Sequence, residues 1–358
     1  MEIISNIENF YKGKTVLVTG DTGFKGSWLA LWLSNLGAKV YGYALPADYE
    51  NDHFNILKLE NEITHIDGNI LDYEKMNRAI QDTQPEIVFH LAAQALVRLS
   101  YVEPKLTFET NVTGSVNILE CVRESNSIKS LIYVTSDKCY KNKEWIWGYR
   151  ENDELGGHDP YSASKAAAEN VFSSYRDSFF SNSNVGLASV RAGNVIGGGD
   201  WALDRIIPDC IRSIKNGKEI IIRNPQATRP WQHVLEPLSG YMLLAQKLYE
   251  DPRKYAGSWN FGPTIESIKT VKELAETTIN IMGKGSIVLG NADDEKHEAG
   301  LLHLNCDKSN HQLKWTPVWN FDETVLRTIE WYKKYLHGND PKVLSLQDIH
   351  NYVEASNQ

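Results

Sequence analysis

Short apolar runs alternate with amphipathic segments through the first half of the chain. Runs with so little polar alternation are typical of strands buried on both faces of a sheet. The apolar runs are KTVLVT (14–19), KVYGYAL (39–45), EIVFHLAA (86–93), SLIYVTS (130–136) and NVGLASVRAGNV (184–195). Helical patterns lie between them, over about 27–35 and over 110–124. Strands that alternate with helices indicate βαβ units, so we predict an α/β fold with a Rossmann-type, doubly wound parallel sheet in residues 1–190.

The second half has a different character. After Asn194 the chain is rich in turns, aromatic residues and arginines, as in GGGDW, ATRPW and NFGP. We assign residues 191–358 mainly to a smaller C-terminal lobe and expect segments of it to return to the sheet. A helix is predicted to begin at Asp159-Pro160, because aspartate suits an N-cap and proline the first helical position.

Composition narrows the class of protein. The 358 residues carry a net charge of −9, which argues against nucleic acid as the main partner. The N-terminus lacks the pattern of a signal peptide, and no stretch approaches the apolar length of a membrane span. The four cysteines are widely spaced without a CxxC pair, so we expect neither a metal site nor disulfides. We therefore expect a soluble cytoplasmic protein with no membrane partner.

A glycine-rich loop follows the first predicted strand. In VLVTGDTGFKGSWLALWL, the residues Gly20, Gly23 and Gly26 allow a tight turn, close approach of a pyrophosphate and packing of helix on strand. A glycine-rich turn without a ligand is the alternative. The second strand ends Tyr43-Ala44-Leu45, without the usual acid for the adenosine ribose and without an arginine for a 2′-phosphate. The absence of that arginine favours NAD over NADP.

Tyr161 and Lys165, in YSASK, form a second candidate motif. At positions i and i+4 of a helix, both side chains lie on one face. A nearby ammonium favours the phenolate, so we expect Lys165 to lower the pKa of Tyr161 and to make it a base for a sugar or alcohol hydroxyl. The alternative is an exposed pair on an amphipathic helix.

Ser136, Asp137 and Lys138 stand where the strand SLIYVTS ends. Ligands of an open parallel sheet bind beyond the carboxyl ends of its strands. Adjacent side chains of a strand point to opposite faces. If Asp137 and Lys138 act on one substrate, the chain must therefore leave strand geometry at about Ser136.

These motifs, taken together and in this order, resemble the extended short-chain dehydrogenases/reductases, and among them the nucleotide-sugar 4,6-dehydratases. HLAAQ (90–94), NVTG (111–114) and RAGN (191–194) fall in the family's order. Longer strings resemble the branch that acts on CDP-glucose, among them TSDKCY, EWIWGYRENDELGG and RPWQHVLEPLSGY. Other members of the group usually carry Asp-Glu where this chain has Asp137-Lys138. The third strand is followed by Gly68-Asn69-Ile70, where the family often has Gly-Asp-Ile.

The resemblance implies an NAD cofactor and a set of residues that contact it. Beside Tyr161 and Lys165 these are Thr19, Gly20, Thr22, Gly23, Phe24, Lys25, Gly26, Gly68, Asn69, Ile70, Leu91, Ala92, Ala93, Gln94, Asn111, Thr135 and Arg191. It places the nucleotide-sugar substrate, CDP-glucose, against Asn194, Arg205, Arg229, His297 and Glu298. A surface position is the alternative for each arginine.

It also implies a mechanism. NAD takes hydride from C4 of the glucose while Tyr161, assisted by Lys165, accepts the O4 proton and Ser136 hydrogen-bonds near O4. Water then leaves across C5/C6 with Asp137 as general acid, and hydride returns to C6. Lys138 occupies the position of the C5 base. Because a free lysine is protonated at neutral pH, it is either a desolvated base or a group that stabilises the enolate.

Two other functions remain open from the sequence. A nucleotide-sugar 4-epimerase or reductase shares the loop and the Tyr161/Lys165 pair but needs no acid and base for elimination, and a dinucleotide sensor needs no catalytic residues. By the same resemblance we expect a homodimer or homotetramer, joined by helices around 105–123 and 161–177. Its setting would be deoxysugar synthesis for a surface polysaccharide such as O-antigen.

Overall fold

A parallel sheet forms the centre of the molecule in this computed structural model, which describes residues 7, 9–290 and 300–357. Within the described residues the strands are β1 (Thr15–Thr19), β2 (Lys39–Ala44), β3 (Thr64–Asp67), β4 (Ile87–His90), β5 (Ser130–Val134), β6 (Gly186–Ala192), β7 (Val195–Ile196), β8 (Ile220–Ile222), β9 (Thr228–Pro230), β10 (Gln232–His233), β11 (Gly257–Phe261), β12 (Ile268–Thr270) and β13 (Ile287–Leu289). The central sheet has seven strands in the order β11-β6-β5-β4-β1-β2-β3, and all its pairs are parallel. The predicted fold class is confirmed.

Helices cover both faces of this sheet. Over the same residues they are α1 (Phe24–Asn35), α2 (His53–Ile56), α3 (Tyr73–Thr83), α4 (Val97–Val102), α5 (Pro104–Phe108), α6 (Gly114–Glu124), α7 (Pro160–Tyr175), α8 (Ile206–Lys215), α9 (Leu235–Glu250), α10 (Pro252–Tyr255), α11 (Val271–Met282), α12 (Phe321–Leu336) and α13 (Pro341–Ser356). Short 3₁₀ turns occupy Leu59–Asn61, Asp137–Cys139 and Ile265–Ser267, and π-helical turns occupy Glu109–Thr113, Arg176–Phe180 and Ser309–Leu313. Apolar side chains pack on either side of the sheet in two large clusters.

The order of the strands reverses between β1 and β4, and this reversal positions the site. Loops after β1 and after β4 leave the sheet in opposite directions, which opens a crevice at the carboxyl ends of the strands. The predicted apolar runs account for β1, β2, β4, β5 and β6 of this sheet, but they missed β3 and β11. The strands β4 and β6 are buried along their whole length. The pattern missed the first turn of α1, which begins at Phe24 because Gly23 serves as its N-cap.

The second half of the chain contributes to two parts of the molecule. The two-stranded sheets β8/β13 and β9/β12, together with α8 and α11, form a lobe beside the crevice. The strand β11 instead pairs with β6 at the edge of the central sheet, and α9 packs against the apolar side chains beneath it. In the part of the chain that the structure describes, no helix combines the length and the apolar character needed to span a membrane.

Candidate active site

The glycine-rich loop is closely packed between the ends of β1 and β4. Gly20 has φ of +77°, and a Cβ at this position would lie 2.7 Å from the backbone nitrogen of Ala92. A Cβ on Gly26 would overlap the carbonyl oxygen of Gly20. The helix α1 starts directly after this turn, and no side chain caps its N-terminus. The N-terminus of α1 therefore lies at the end of β1 without a side-chain cap, an arrangement that fits a pyrophosphate.

Other predicted cofactor residues lie at the same edge of the sheet. Thr19, at the end of β1, has its Oγ1 2.8 Å from Nδ1 of His90 and accepts a hydrogen bond from the Ala92 nitrogen at 3.3 Å. Thr22 donates to the Leu45 carbonyl at 2.9 Å, which ties the loop to the end of β2. After β3, Gly68 lies against the ring of Tyr43. Of the other predicted cofactor residues, Gly23, Phe24 and Lys25 belong to the same glycine-rich loop, Asn69 and Ile70 follow Gly68, and Leu91 and Ala93 follow β4.

Asn111 lies behind this edge instead of facing it. Its carboxamide accepts from the Gln94 nitrogen at 2.9 Å and donates to the Gln94 carbonyl at 3.0 Å and to the Ser164 hydroxyl at 2.9 Å. Both residues are buried, and the Gln94 amide also donates to Thr107 at 2.8 Å. Asn111 thus joins the loop after β4 to the helix of the YSASK motif, and its carboxamide forms hydrogen bonds inside the protein.

Arg191 and Thr135 are also turned inward, which differs from the expected cofactor contacts. Arg191 is buried and pairs with Glu169, with Nε to Oε1 at 2.9 Å and Nη2 to Oε2 at 2.7 Å. Its third nitrogen, Nη1, donates to the Tyr140 hydroxyl at 2.7 Å and to the carbonyl of Glu151 at 3.0 Å. Thr135 donates to the same Glu169 carboxylate at 2.5 Å. Both side chains therefore bind the buried Glu169 carboxylate, because a buried charge must be paired where it lies.

The Ser136-Asp137-Lys138 stretch leaves strand geometry directly after β5. Ser136 is extended, with φ of −163°, and Asp137 then opens a 3₁₀ turn. The Ser136 hydroxyl donates to Oδ1 of Asp137 at 2.9 Å and accepts from the Lys138 nitrogen at 3.2 Å. Asp137 is 4% exposed. Burial raises the pKa of its carboxyl, against the opposing effects of Lys138 and of the Ser136 hydrogen bond.

Tyr161 and Lys165 lie on the first two turns of α7, which is capped by Asp159 accepting from the Ser162 nitrogen at 2.9 Å. Burial raises the pKa of Tyr161 to about 12, while the Ser136 hydroxyl acts in the opposite direction. The expectation that Lys165 lowers this pKa is therefore wrong for the protein alone, where desolvation outweighs any effect of the ammonium. Burial also lowers the pKa of Lys165 to about 8, and its Nζ is 6.0 Å from the centre of the tyrosine ring.

Cationic side chains converge on this cluster from the glycine loop and the second lobe. The ammonium of Lys25 interacts electrostatically with Asp137 and Lys165, and burial lowers the pKa of Lys25 to about 8. Arg205 pairs with Asp200 at 2.8 Å and its charge acts on Tyr161. Arg229 donates to the Thr228 carbonyl at 2.8 Å and its charge acts on Asp137. Among the described residues, the site thus presents more positive than negative charge.

Two residues of the predicted substrate set, His297 and Glu298, lie outside the described residues. Asn194 is half-buried between the two lobes, and its carbonyl accepts from the Gln232 nitrogen at 3.2 Å. No group of three or more His, Cys, Asp or Glu side chains able to hold a metal occurs in residues 9–290 or 300–357.

The sequence reasoning missed two residues of this region. Glu169, the partner of Arg191, follows Tyr161 and Lys165 at the same helical spacing and so shares their face of α7; that spacing was a usable signal. Gly193 lines a narrow pocket next to Asp137. Gly193 belongs to the RAGN motif, but the motif gives no sign of this contact, because the contact joins the ends of two different strands.

A glycine loop where the strand order reverses, with a tyrosine–lysine helix beside it, defines an extended short-chain dehydrogenase/reductase. A sequence model of the family described as GDP-mannose 4,6 dehydratase matches residues 17–328. The chain belongs to this family, and the resemblance inferred from the sequence is confirmed.

Individual relatives agree with this assignment. The chain is 51% identical to a CDP-glucose 4,6-dehydratase of Salmonella typhimurium, over 98% of this chain and 99% of that protein. An epimerase from Methanothermobacter thermautotrophicus superimposes with a TM-score of 0.81 at 25% identity, covering 94% of this chain and 97% of the other. A Bacillus anthracis dTDP-glucose 4,6-dehydratase in complex with NAD gives 0.75 at 22% identity, covering 92% and 100%. At 22% identity, the Bacillus anthracis structure shows only that the fold is shared.

Proposed function

We propose that the protein is an NAD-dependent hydro-lyase that converts CDP-D-glucose to CDP-4-dehydro-6-deoxy-D-glucose. The observation that carries this proposal is the 51% identity, over 98% of the chain, to a protein of that named activity. The arrangement of Ser136, Asp137, Lys138 and Tyr161 supports it independently. A dehydratase needs an acid and a base for elimination beside the groups that oxidise C4, and this turn offers candidates for both.

The residues of the crevice fit NAD. Its pyrophosphate would be held by the backbone of residues 20–26 at the N-terminus of α1, where glycine leaves the space that a side chain would fill. When bound there, NAD would supply the hydride acceptor for C4 of the sugar and the hydride for C6, with no net change in its oxidation state. The chain's own task is to bind the dinucleotide, to exclude water and to move protons at O4, C5 and O6.

Tyr161 accepts the O4 proton in this proposal. Its pKa of about 12 without ligands is too high for a base at neutral pH. The positive charge around it, including that of Arg205, acts toward the phenolate. Ser136, within hydrogen-bonding reach of the phenol, aligns O4, and Lys165 supplies the ammonium on the same helical face.

Asp137 donates the proton to the leaving O6 hydroxyl. Its raised pKa fits this role, since burial favours a carboxyl group that retains its proton until the hydroxyl departs. Lys138, on the same 3₁₀ turn and half-buried, takes the position of the C5 base or stabilises the enolate. One turn thus supplies groups for two adjacent carbons.

The second lobe would bind the nucleotide diphosphate. Arg205 and Arg229 suit it, because a guanidinium forms paired hydrogen bonds with phosphate oxygens. Asn194 lies at the junction of the lobes, and we propose His297 and Glu298 as further contacts by resemblance. In this division residues 1–190 bind NAD and residues 191–358 mainly bind substrate.

We also propose a homodimer or homotetramer, acting in the cytoplasm in deoxysugar synthesis for a surface polysaccharide such as O-antigen. The dimer would form through the helical stretch 104–124 and α7. Apolar side chains are exposed at both ends of this helix pair, and they are Val102, Leu106, Phe108 and Phe179. Exposed large apolar side chains at these two places support an interface along the helix pair.

One assay tests the function. The purified protein is incubated with NAD and, in separate reactions, with CDP-, UDP-, dTDP- and GDP-hexoses, and products are analysed by mass spectrometry. Loss of one water from CDP-glucose alone is the expected result. A mass-neutral conversion would show a 4-epimerase instead, and absence of reaction with every sugar nucleotide would contradict an enzymatic role.

A further inference from the structure

The second strand lacks the acid that usually binds the adenosine ribose, and the neighbouring strand places one beside the gap. Strand β2 ends at Ala44, whose parallel partner in β3 is Asp67. Partners in adjacent parallel strands are about 4.8 Å apart and direct their side chains to the same face of the sheet. The Asp67 carboxylate therefore reaches the space above Ala44 from the side.

A series of hydrogen bonds, buried at one end and exposed at the other, orients this carboxylate. Nε2 of His65 lies 3.1 Å from Oδ1 of Asp67, and Nδ1 of the same ring lies 2.6 Å from Oδ2 of Asp21. Asp21 is fully buried in the glycine-rich loop. It lies directly over Gly42, where any side chain would overlap its carboxylate. The loop after β1 is thus tied through His65 to the end of β3.

The exposure of the two carboxylates differs sharply. The Asp21 side chain is 0% exposed, whereas that of Asp67 is 68% exposed. Asp21 is therefore shielded from solvent where it contacts His65, while Asp67 is open to a ligand above the strand ends. In this series of hydrogen bonds, the buried Asp21 supports His65, and the exposed Asp67 is the residue that meets solvent.

We propose that Asp67 accepts hydrogen bonds from the adenosine ribose hydroxyls of NAD, with His65 as its positioning residue. This inference rests on the NAD binding in the proposed function. It concerns a carboxylate that comes from β3 instead of β2. Hydrogen bonds to a carboxylate are stronger than neutral ones. The same negative charge repels a 2′-phosphate, so Asp67 also makes the site select NAD over NADP.

Asp48 is the competing source of an acid. It follows β2 along the chain, but it lies beyond Leu45 and Pro46 in a bend, away from the ladder that pairs Ala44 with Asp67. Its replacement is therefore the matched control, since Asp48→Asn removes one carboxylate near the end of β2 without touching the Asp21–His65–Asp67 chain.

Binding, not turnover, tests this inference. Dissociation constants for NAD and NADP are measured by titration calorimetry on the wild-type protein and on Asp67→Asn and Asp48→Asn. We expect Asp67→Asn to weaken NAD about tenfold, the usual cost of losing hydrogen bonds to a charged group, and to leave NADP unchanged or tighter. Asp48→Asn should change neither constant more than about twofold. Weaker binding of NAD, with binding of NADP unchanged or tighter, separates a ribose contact from a general loss of structure.

The unfavourable outcomes are distinct. If the wild type binds NAD but Asp67→Asn binds it equally well, or if Asp48→Asn has the larger effect, the inference fails and the proposed function stands. If the wild type binds no NAD, both fail. His65→Gln gives a second measurement, because combining it with Asp67→Asn should weaken NAD no further than Asp67→Asn alone; additive losses would show that His65 does not act through Asp67.

Discussion

The Asp137 carboxylate lies 3.2 Å from the point where a Cβ on Gly193 would stand, and the ring of Pro230 lies 3.0 Å from it. The end of β6 therefore passes the general-acid candidate closely enough that a methyl group requires one neighbour to move. Glycine at this position keeps open the space between Asp137 and the second lobe.

Gly193→Ala should consequently displace Asp137 by a few tenths of an ångström. Because acid catalysis depends on such alignment, we expect kcat for dehydration to fall about tenfold, while the NAD dissociation constant stays unchanged. Steady-state kinetics and a cofactor titration measure the two quantities. Gly300→Ala is the control, since a Cβ there makes only ordinary contacts, and equal losses in both variants would argue against a special role for Gly193.

Lys138→Met should separate the two halves of the reaction. Oxidation at C4 depends on Tyr161 and should persist, whereas elimination across C5/C6 should slow at least about a hundredfold, within the range for loss of a proton-transfer group. Single-turnover absorbance of reduced cofactor reports the first half, and mass spectrometry reports the loss of water. The exposed Lys141, which pairs with Glu154 at 2.7 Å, provides the control variant Lys141→Met. Full turnover by Lys138→Met would remove Lys138 from the mechanism.

Arg191→Met distinguishes a cofactor contact from a structural pair. Its removal leaves the Glu169 carboxylate buried without its partner, which should lower the free energy of unfolding by about 3–5 kcal/mol. Urea denaturation measures this loss, and Arg176→Met, which removes a surface pair with Asp177, should cost less than about 1 kcal/mol. The folded fraction should bind NAD with nearly wild-type affinity. A large loss of NAD affinity without destabilisation would restore the cofactor contact inferred from the sequence.

The contrast between Arg191 and Tyr161 shows what the sequence could and could not reveal. Tyr161 and Lys165 are four residues apart, so helical geometry alone places them on one face. Arg191 meets Glu169 across 22 residues, from a strand to a helix, and its motif gives no sign that its guanidinium points into the protein. The order of the family's motifs along the chain identified Arg191, but it did not indicate where the guanidinium of Arg191 points.

The same distinction applies to the fold. Buried runs without polar alternation predict parallel strands, and the position of the glycine loop predicts which of them carries the dinucleotide. The register that sets Ala44 beside Asp67 arises from pairing between strands, which no local pattern encodes. The depressed tyrosine pKa was mispredicted for a related reason, because burial around Tyr161 depends on side chains from several distant segments.

Leu106→Glu tests the proposed assembly. Leu106 is 43% exposed on α5, and a charge there would be buried at the proposed helix-to-helix interface, so we expect dimers to dissociate to monomers. Light scattering coupled to size-exclusion chromatography measures the mass. Val343→Glu introduces the same charge on α13, away from this helix pair, and should leave the assembly intact. A wild-type protein that is already monomeric at micromolar concentration would contradict the proposal directly.

We expect Glu236 to make the stability of the fold depend on pH. Its carboxylate accepts from the Trp319 nitrogen at 2.7 Å and from the Tyr352 hydroxyl at 2.8 Å, which fastens the C-terminal helix to α9. Burial raises its pKa from 4.5 to about 7 despite these hydrogen bonds. Because the folded-state value lies above the unfolded one, this contribution is fully present below about pH 4.5 and is lost as the pH rises through about 7.

Glu236→Gln should remove that dependence, since the amide stays neutral and one oxygen can still accept from the backbone. Relative to wild type, the variant should gain about 3 kcal/mol in unfolding free energy between about pH 5 and about pH 8, because one pKa unit corresponds to about 1.4 kcal/mol. Urea denaturation at several pH values gives the difference, and Glu50→Gln, at an exposed position, should show no such trend. A difference that stays constant with pH would mean that Glu236 is ionised in the folded protein throughout this range, and that its hydrogen bonds outweigh the cost of burying its charge.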